Sequence, residues 1–362
     1  MTNKISLAAT ALALTAGAAQ AGSIQRDTDR SQILFEEGKN YLEFSVVTFT
    51  GEISGTGTNA VFPLGGLQSG NIFENYQSYG LGYKLDLNEK LTLAVVANNP
   101  VGADVAYPTR LYPFAGSTAE ITSLALTGYA KYQFNENFSA YGGLRLQRLD
   151  GAVNLQSLLG AYALDVNDDY AFGYVLGAAY EIPDIAMRVA LTYESKIEHD
   201  FVDNNGAPFD VEIPQAVTLH GRTGISPTML VFGSVRWQEW SEFDVAPPDF
   251  LTDPANPSGL PIAFGTDDFF TYEIGLGRKF SENWSGAATL GYETSGDVPV
   301  GNLEGKDGYI SYGLSAKYST EAYDVSVGVK YFDLGDATTT TIASDFSGNE
   351  VIAFGVKLGW RF

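Results

Sequence analysis

Two histidines, His199 and His220, are the only imidazoles in this 362-residue chain, and there is no cysteine beside them. Thiol catalysis, thiolate metal sites and disulfides are therefore excluded. A hydrolytic triad needs a histidine with a nucleophile on one side and an orienting carboxylate on the other. His199 lies instead in the acidic run "EHDFVDNN", which reads as solvated surface, and His220 falls on the inward side of an alternating segment. No catalytic residue, metal site or cofactor is expected, and the chain reads as a non-enzyme. Charges such as Arg188, Arg222, Arg236, Glu194 and Glu273 are expected to form ion pairs on an inner wall.

The residues with binding chemistry are apolar. In "GAVNLQSLLGAYALD", Leu155, Leu158, Leu159 and Tyr162 recur at helical spacing, and "YPTRLYPFAG" adds Leu111, Tyr112 and Phe114. An apolar stripe in loops that face water reads as a groove for a hydrophobic ligand, or as two loops packing to close the top; both can hold. A third group is "ANNPVGAD". Pro100 has no N–H for a strand ladder and Gly102 has no side chain to pack, so pairing should fail near Asn98, Asn99, Pro100 and Gly102. The segment reads as an ordinary loop start or as an opening in a wall.

These groups need a scaffold, and the last twelve residues show its kind. In "VIAFGVKLGWRF", Ile352, Phe354, Val356, Leu358, Trp360 and Phe362 alternate with small or charged residues. Such strict period-two alternation is a strand with two unlike faces. "DVSVGVKYF", "WSGAATLGYE", "IAMRVALTYE" and "YAFGYVLGAAYE" repeat it, always with Gly, Ala, Ser or Thr and scattered charges on the second face. Small residues suit a concave wet wall, whereas a soluble sandwich would put its bulky residues inward. Fourteen such segments run from residue 41 to residue 362, joined alternately by short turns ("NE", "NE", "PD", "SP", "SE", "TE") and long connectors. Aromatics flank the short turns: Tyr83, Tyr132, Phe134, Phe138, Tyr180, Phe280, Trp284, Tyr318 and Tyr323. The expected fold is all-β, a fourteen-stranded antiparallel transmembrane β-barrel with an aromatic girdle.

The net charge of -22, from 21 Lys+Arg and 43 Asp+Glu, argues against a nucleic-acid partner. "MTNKISLAATALALTAGAAQAG" has one early lysine, a short apolar run and an Ala-x-Ala end, so residues 1–21 are expected to be a secretory signal peptide. Residues 22–40 do not alternate. With Ile33, Leu34 and Phe35 as packing residues, they are expected to form a hatch or plug inside the lumen, ahead of a barrel over 41–362.

"LTYESKIEHDF" (191–201), "VEIPQAVTLHGRTGISPTMLVFGSVRWQEWSEFD" (211–244), "LGYETSGDVP" (290–299) and "SAKYS" (315–319) together resemble the outer-membrane long-chain fatty-acid transporter family (FadL/TodX type). The resemblance implies a Gram-negative outer-membrane barrel with an N-terminal hatch. It also implies passive uptake of hydrophobic small molecules, long-chain fatty acids or hydrocarbons, through an outer groove, a lumen pocket and a lateral exit at a kinked third strand. This hatch is shorter than the family's and lacks its Asn-Pro-Ala stretch. A monomer in contact with lipid and lipopolysaccharide is expected. The alternative is a general diffusion porin with a water-filled lumen.

Overall fold

The computed structural model describes residues 24–27, 29–58, 65–108, 111–296 and 299–362. The expected signal peptide (1–21) and the first residues of the expected hatch lie outside them. Fourteen antiparallel strands close into one barrel. They are β1 (Asn40–Glu52), β2 (Tyr76–Asp86), β3 (Leu91–Asn98, resuming at Gly102–Ala106), β4 (Thr118–Gln133), β5 (Phe138–Ser157), β6 (Gly160–Ile182) and β7 (Met187–Glu194). The second half is β8 (Ala216–Ser226), β9 (Met229–Gln238), β10 (Phe269–Lys279), β11 (Trp284–Glu293), β12 (Tyr309–Ser319), β13 (Tyr323–Leu334) and β14 (Glu350–Arg361). Each strand pairs with its neighbour in sequence, and β14 closes the cylinder against β1 from Tyr41↔Arg361 to Glu52↔Glu350. That closure leaves no edge, the condition for a sheet to sit in hydrocarbon.

Alternation assigns the two faces. On β14, Ile352, Phe354 and Trp360 are exposed outward while Val351 and Ala353 are fully buried inward. On β2, Tyr79, Leu81 and Tyr83 point out, with Ser78 and Lys84 buried on the other side. The outer belt is thus continuous and apolar. At the short-turn end it carries the expected aromatics, among them the ring pairs Tyr132–Phe134, Phe138–Tyr180 and Trp284–Tyr318.

The long connectors are more ordered than alternation alone suggested. β5 and β6 continue beyond the belt as one ladder to Ser157↔Gly160. Residues 155–162, read above at helical spacing, are therefore the tip of a β-hairpin. Leu155 also alternates with polar neighbours, and a window this short fits both periods. Between β7 and β8, Ile197–Val202 and Pro208–Ile213 form a second hairpin.

Candidate functional site

The lumen is divided into two chemically distinct storeys. Towards the long loops lies an apolar core of Leu149 on β5, Ile197, Phe201 and Val211 on the second hairpin, and Trp240, Phe243 and Phe269. It encloses a cavity of about 120 Å³ whose walls include Ile24, Tyr76, Ile121, Leu149, Phe201 and Val211. Among the described residues, Lys306, between β11 and β12, reaches this cavity 4 % exposed and with no hydrogen bond to its Nζ. Burial pulls its pKa down to about 8, while Glu293, Glu304 and Asp307 hold it up.

Below this core the wall is ionic. Glu194 on β7 accepts from Arg145 on β5 (2.8 Å) and from Arg236 on β9 (2.6 Å). Lys330 on β13 meets Glu273 on β10 at 2.6 Å. Lys357 on β14 bridges Glu36 (3.3 Å) and Glu43 (3.1 Å). The wall pairs read from the sequence thus include Arg236, Glu194, Glu273 and Arg188, whose Nη1 lies 3.9 Å from Glu181, whereas Arg222 on β8 stands opposite Arg188 on β7.

Residues 24–27 and 29–39 touch inward-facing wall residues of both storeys. Ile33 and Leu34, in a single 3-10 turn, pack on Tyr41, Ala94, Val96 and Tyr141. A Cβ at Gly82 would stand 2.4 Å from Ile33 Cδ1, so the bare wall there makes room for the segment. Phe35 lies edge-on to Tyr141. Polar ties fix the rest. Asn98 donates to Asp27 at 2.8 Å, Ser31 pairs with Thr192 at 3.3 Å, and Asp29 lies 3.3 Å from His220 Nε2.

Where this segment meets β3, the wall is broken. The β2–β3 ladder ends at Gly80↔Asn98, and the β3–β4 register slips by one residue between Asn98↔Ala125 and Gly102↔Thr122. Pro100 interrupts the donors, as its chemistry requires. Asn99 bridges the break, accepting from Tyr79 N–H (3.2 Å) and donating to the Ser123 carbonyl (2.9 Å). The N-terminal segment supplies the missing ladder partner. Arg26 and Asp27 donate to the Pro100 carbonyl at 2.9 and 3.2 Å, Gly102 donates to Ile24 at 2.6 Å, and Gln25 bridges Val101. Arg26 pairs with Asp104 and lies 4.1 Å from the Tyr76 ring centroid. A Cβ at Gly102 would come within 2.5 Å of the Arg26 guanidinium carbon, so any larger residue there would have to push the guanidinium aside.

The expected groove residues are split between neighbouring clusters. Tyr112 is buried among loop residues with Phe114 beside it, and donates to Ser344 at 2.7 Å. Tyr162 is buried against Phe250, with Leu155 partly buried behind it. Leu111, Leu158 and Leu159 are highly exposed. Sequence reasoning missed Lys306, Arg26 and Asp104; in "NLEGKDGY" a lysine looks solvated, and nothing local signals its burial. It also misread His199, which is fully buried, not solvated. Its hairpin alternates, so His199 faces inward, with Nδ1 2.9 Å from Asp169 and Nε2 lacking any partner. Burial lowers its pKa despite that carboxylate. No nucleophile hydrogen-bonds it among the described residues.

A family model described as outer membrane protein transport protein (OMPP1/FadL/TodX) matches residues 41–298. Among solved structures, a Pseudomonas aeruginosa FadL homologue aligns with TM-score 0.70 and 14% identity over 90% of this chain and 90% of its own. The P. putida toluene transporter TodX aligns at 0.67 and 12%, covering 92% and 93%. The Ralstonia pickettii toluene transporter TbuX aligns at 0.61 and 10%, covering 91% and 90%. At these identities the structures establish a common barrel fold. No curated protein sequence matches.

Proposed function

The chain belongs to the OMPP1/FadL/TodX outer-membrane transport family, a barrel of the Gram-negative outer membrane, and from that premise we propose that it passively admits hydrophobic small molecules bearing a carboxylate, long-chain fatty acids above all. The observation that carries this reading is the apolar cavity with the unpartnered Lys306 Nζ at its wall. An acyl chain gains about 0.8 kcal/mol for each methylene taken out of water, and a carboxylate head would give the buried Lys306 ammonium the hydrogen bond that the carboxylates around it do not make. No bond in the ligand needs to be broken.

The route follows from the two storeys. Leu111, Leu158 and Leu159 offer apolar contact at the outer surface, with Tyr112, Phe114, Leu155 and Tyr162 behind them. From the cavity, the way straight down meets Arg145, Glu194, Arg236 and the N-terminal hatch, a charged layer that repels a hydrocarbon chain. Sideways, the break at Asn98, Asn99, Pro100 and Gly102 leads to lipid once Ile24–Asp27 moves aside; hence the exit is lateral. On this reading the protein works as a monomer, and its acidic outer loops meet lipopolysaccharide.

The test is oleate and toluene uptake by cells carrying Lys306→Gln. Oleate uptake should fall roughly tenfold, the loss of one charge-assisted hydrogen bond, with toluene unaffected. Wild-type oleate uptake should also decline as pH rises through about 8, where Lys306 discharges, and the variant should lack that decline. Equal loss for both solutes would remove the carboxylate from the proposal.

A further inference from the structure

Near the short turns, which face the periplasm in such barrels, a group of donors is only partly satisfied. Arg188 and Arg222 are Cα partners on β7 and β8, both pointing into the lumen. Like charges directly opposite on a ladder destabilise a sheet unless something lies between them. Arg188 is 7 % exposed. Its Nη2 donates to Gln32 Oε1 at 3.0 Å, while its Nη1 makes no hydrogen bond and lies 3.9 Å from Glu181. Arg222 Nε is buried without a partner, as is the remaining amide nitrogen of Gln32. Among the described residues, Lys131, inward on β4, makes no hydrogen bond or close ion pair; its Nζ lies 4.5 Å from the centroid of Phe35, within the field of Glu181 and Asp86. Arg188 lies 4.2 Å from the centroid of the same ring. Glu181 is the one carboxylate in ion-pair reach of these three cations among the described residues.

We propose that Lys131, Arg188, Arg222 and the Gln32 amide form an oxyanion site at the periplasmic end of the lumen, taking a phosphate-type group. Planar guanidinium forks match phosphate oxygens in geometry and charge. The group would relieve the Arg188–Arg222 repulsion and satisfy three buried donors at once. Because Gln32 and Phe35 belong to the hatch, the bound anion also fastens the hatch to the wall. The site stands apart from the uptake reading: it lies below the charged layer, and its ligand comes from the periplasm or from a lipid headgroup.

The test is thermal unfolding of the purified full chain in uncharged detergent, read as loss of the fast-migrating barrel form on gels. Inorganic phosphate is titrated at constant ionic strength against chloride, and dioctanoyl phosphatidic acid in a parallel series. Phosphate should raise the midpoint saturably, by roughly 5 °C once the site is filled about a hundredfold above its Kd. A saturable shift with phosphatidic acid alone would assign the site to a headgroup. Arg222→Gln should be more stable than wild type in chloride, since the like-charge pair is gone, and should not respond to phosphate. Lys131→Gln should respond with an apparent Kd roughly tenfold weaker. No saturable shift with either anion, or wild-type responses from both variants, would overturn the site.

Discussion

The outer storey of the lumen and the storey beneath it are walled by the same strands, yet one is greasy and the other ionic. On β5, Leu149 lines the cavity while Arg145, four residues nearer the short turn, pairs with Glu194. On β2, Tyr76 faces the cavity, and Lys84 at the other end donates to Gly38, Glu36 and Asp86. The upper storey leaves room for a guest; the lower fills its space with ion pairs and a piece of the chain itself. A barrel can thus hold an apolar ligand without becoming an open pore. The junction between storeys is also where the wall is interrupted, so on the proposed route the break lies where a descending ligand would meet its first charged obstacle.

Making the upper storey resemble the lower should have the largest effect. Leu149→Asp buries an unpaired carboxylate in the cavity wall, and oleate uptake should fall by roughly tenfold or more. Barrel formation should persist, because the β5 ladders are backbone bonds. Retained uptake would mean that the ligand bypasses this cavity. The reciprocal change, Arg236→Met, leaves Glu194 with Arg145 alone. It should lower unfolding stability by about 3 kcal/mol, measured as a shift in the urea midpoint. Its oleate uptake should change by less than about twofold, since on this account a difference of under 0.4 kcal/mol reaches the ligand path. A large uptake defect in Arg236→Met would place the path through the ionic layer and dissolve the contrast.

The faces of the barrel were legible because alternation is set by backbone geometry: Ile352, Phe354 and Trp360 of the last strand are exposed while Val351 and Ala353 between them are buried. The break at Pro100 was legible for the same kind of reason, a missing N–H. What the sequence could not show was how distant parts meet. Arg26 finding Asp104 and Tyr76, and Lys306 reaching an apolar cavity from an acidic loop, depend on contacts between residues far apart in sequence. His199 looked solvated because its neighbours are acids, yet hairpin alternation turns it inward. The tip around Leu158 and Leu159 looked helical because eight residues cannot separate a period of 3.6 from a period of two.

The most direct trial of lateral exit uses the absence of cysteine. Gln25 and Val101 are bridge partners across the break, at a separation that suits a disulfide. In Gln25→Cys with Val101→Cys, oxidation would fasten the N-terminal segment over the opening. Oleate uptake should stop in oxidised cells and return on reduction, with the barrel form unchanged on gels. Equal uptake in both redox states would show that the ligand leaves by another door.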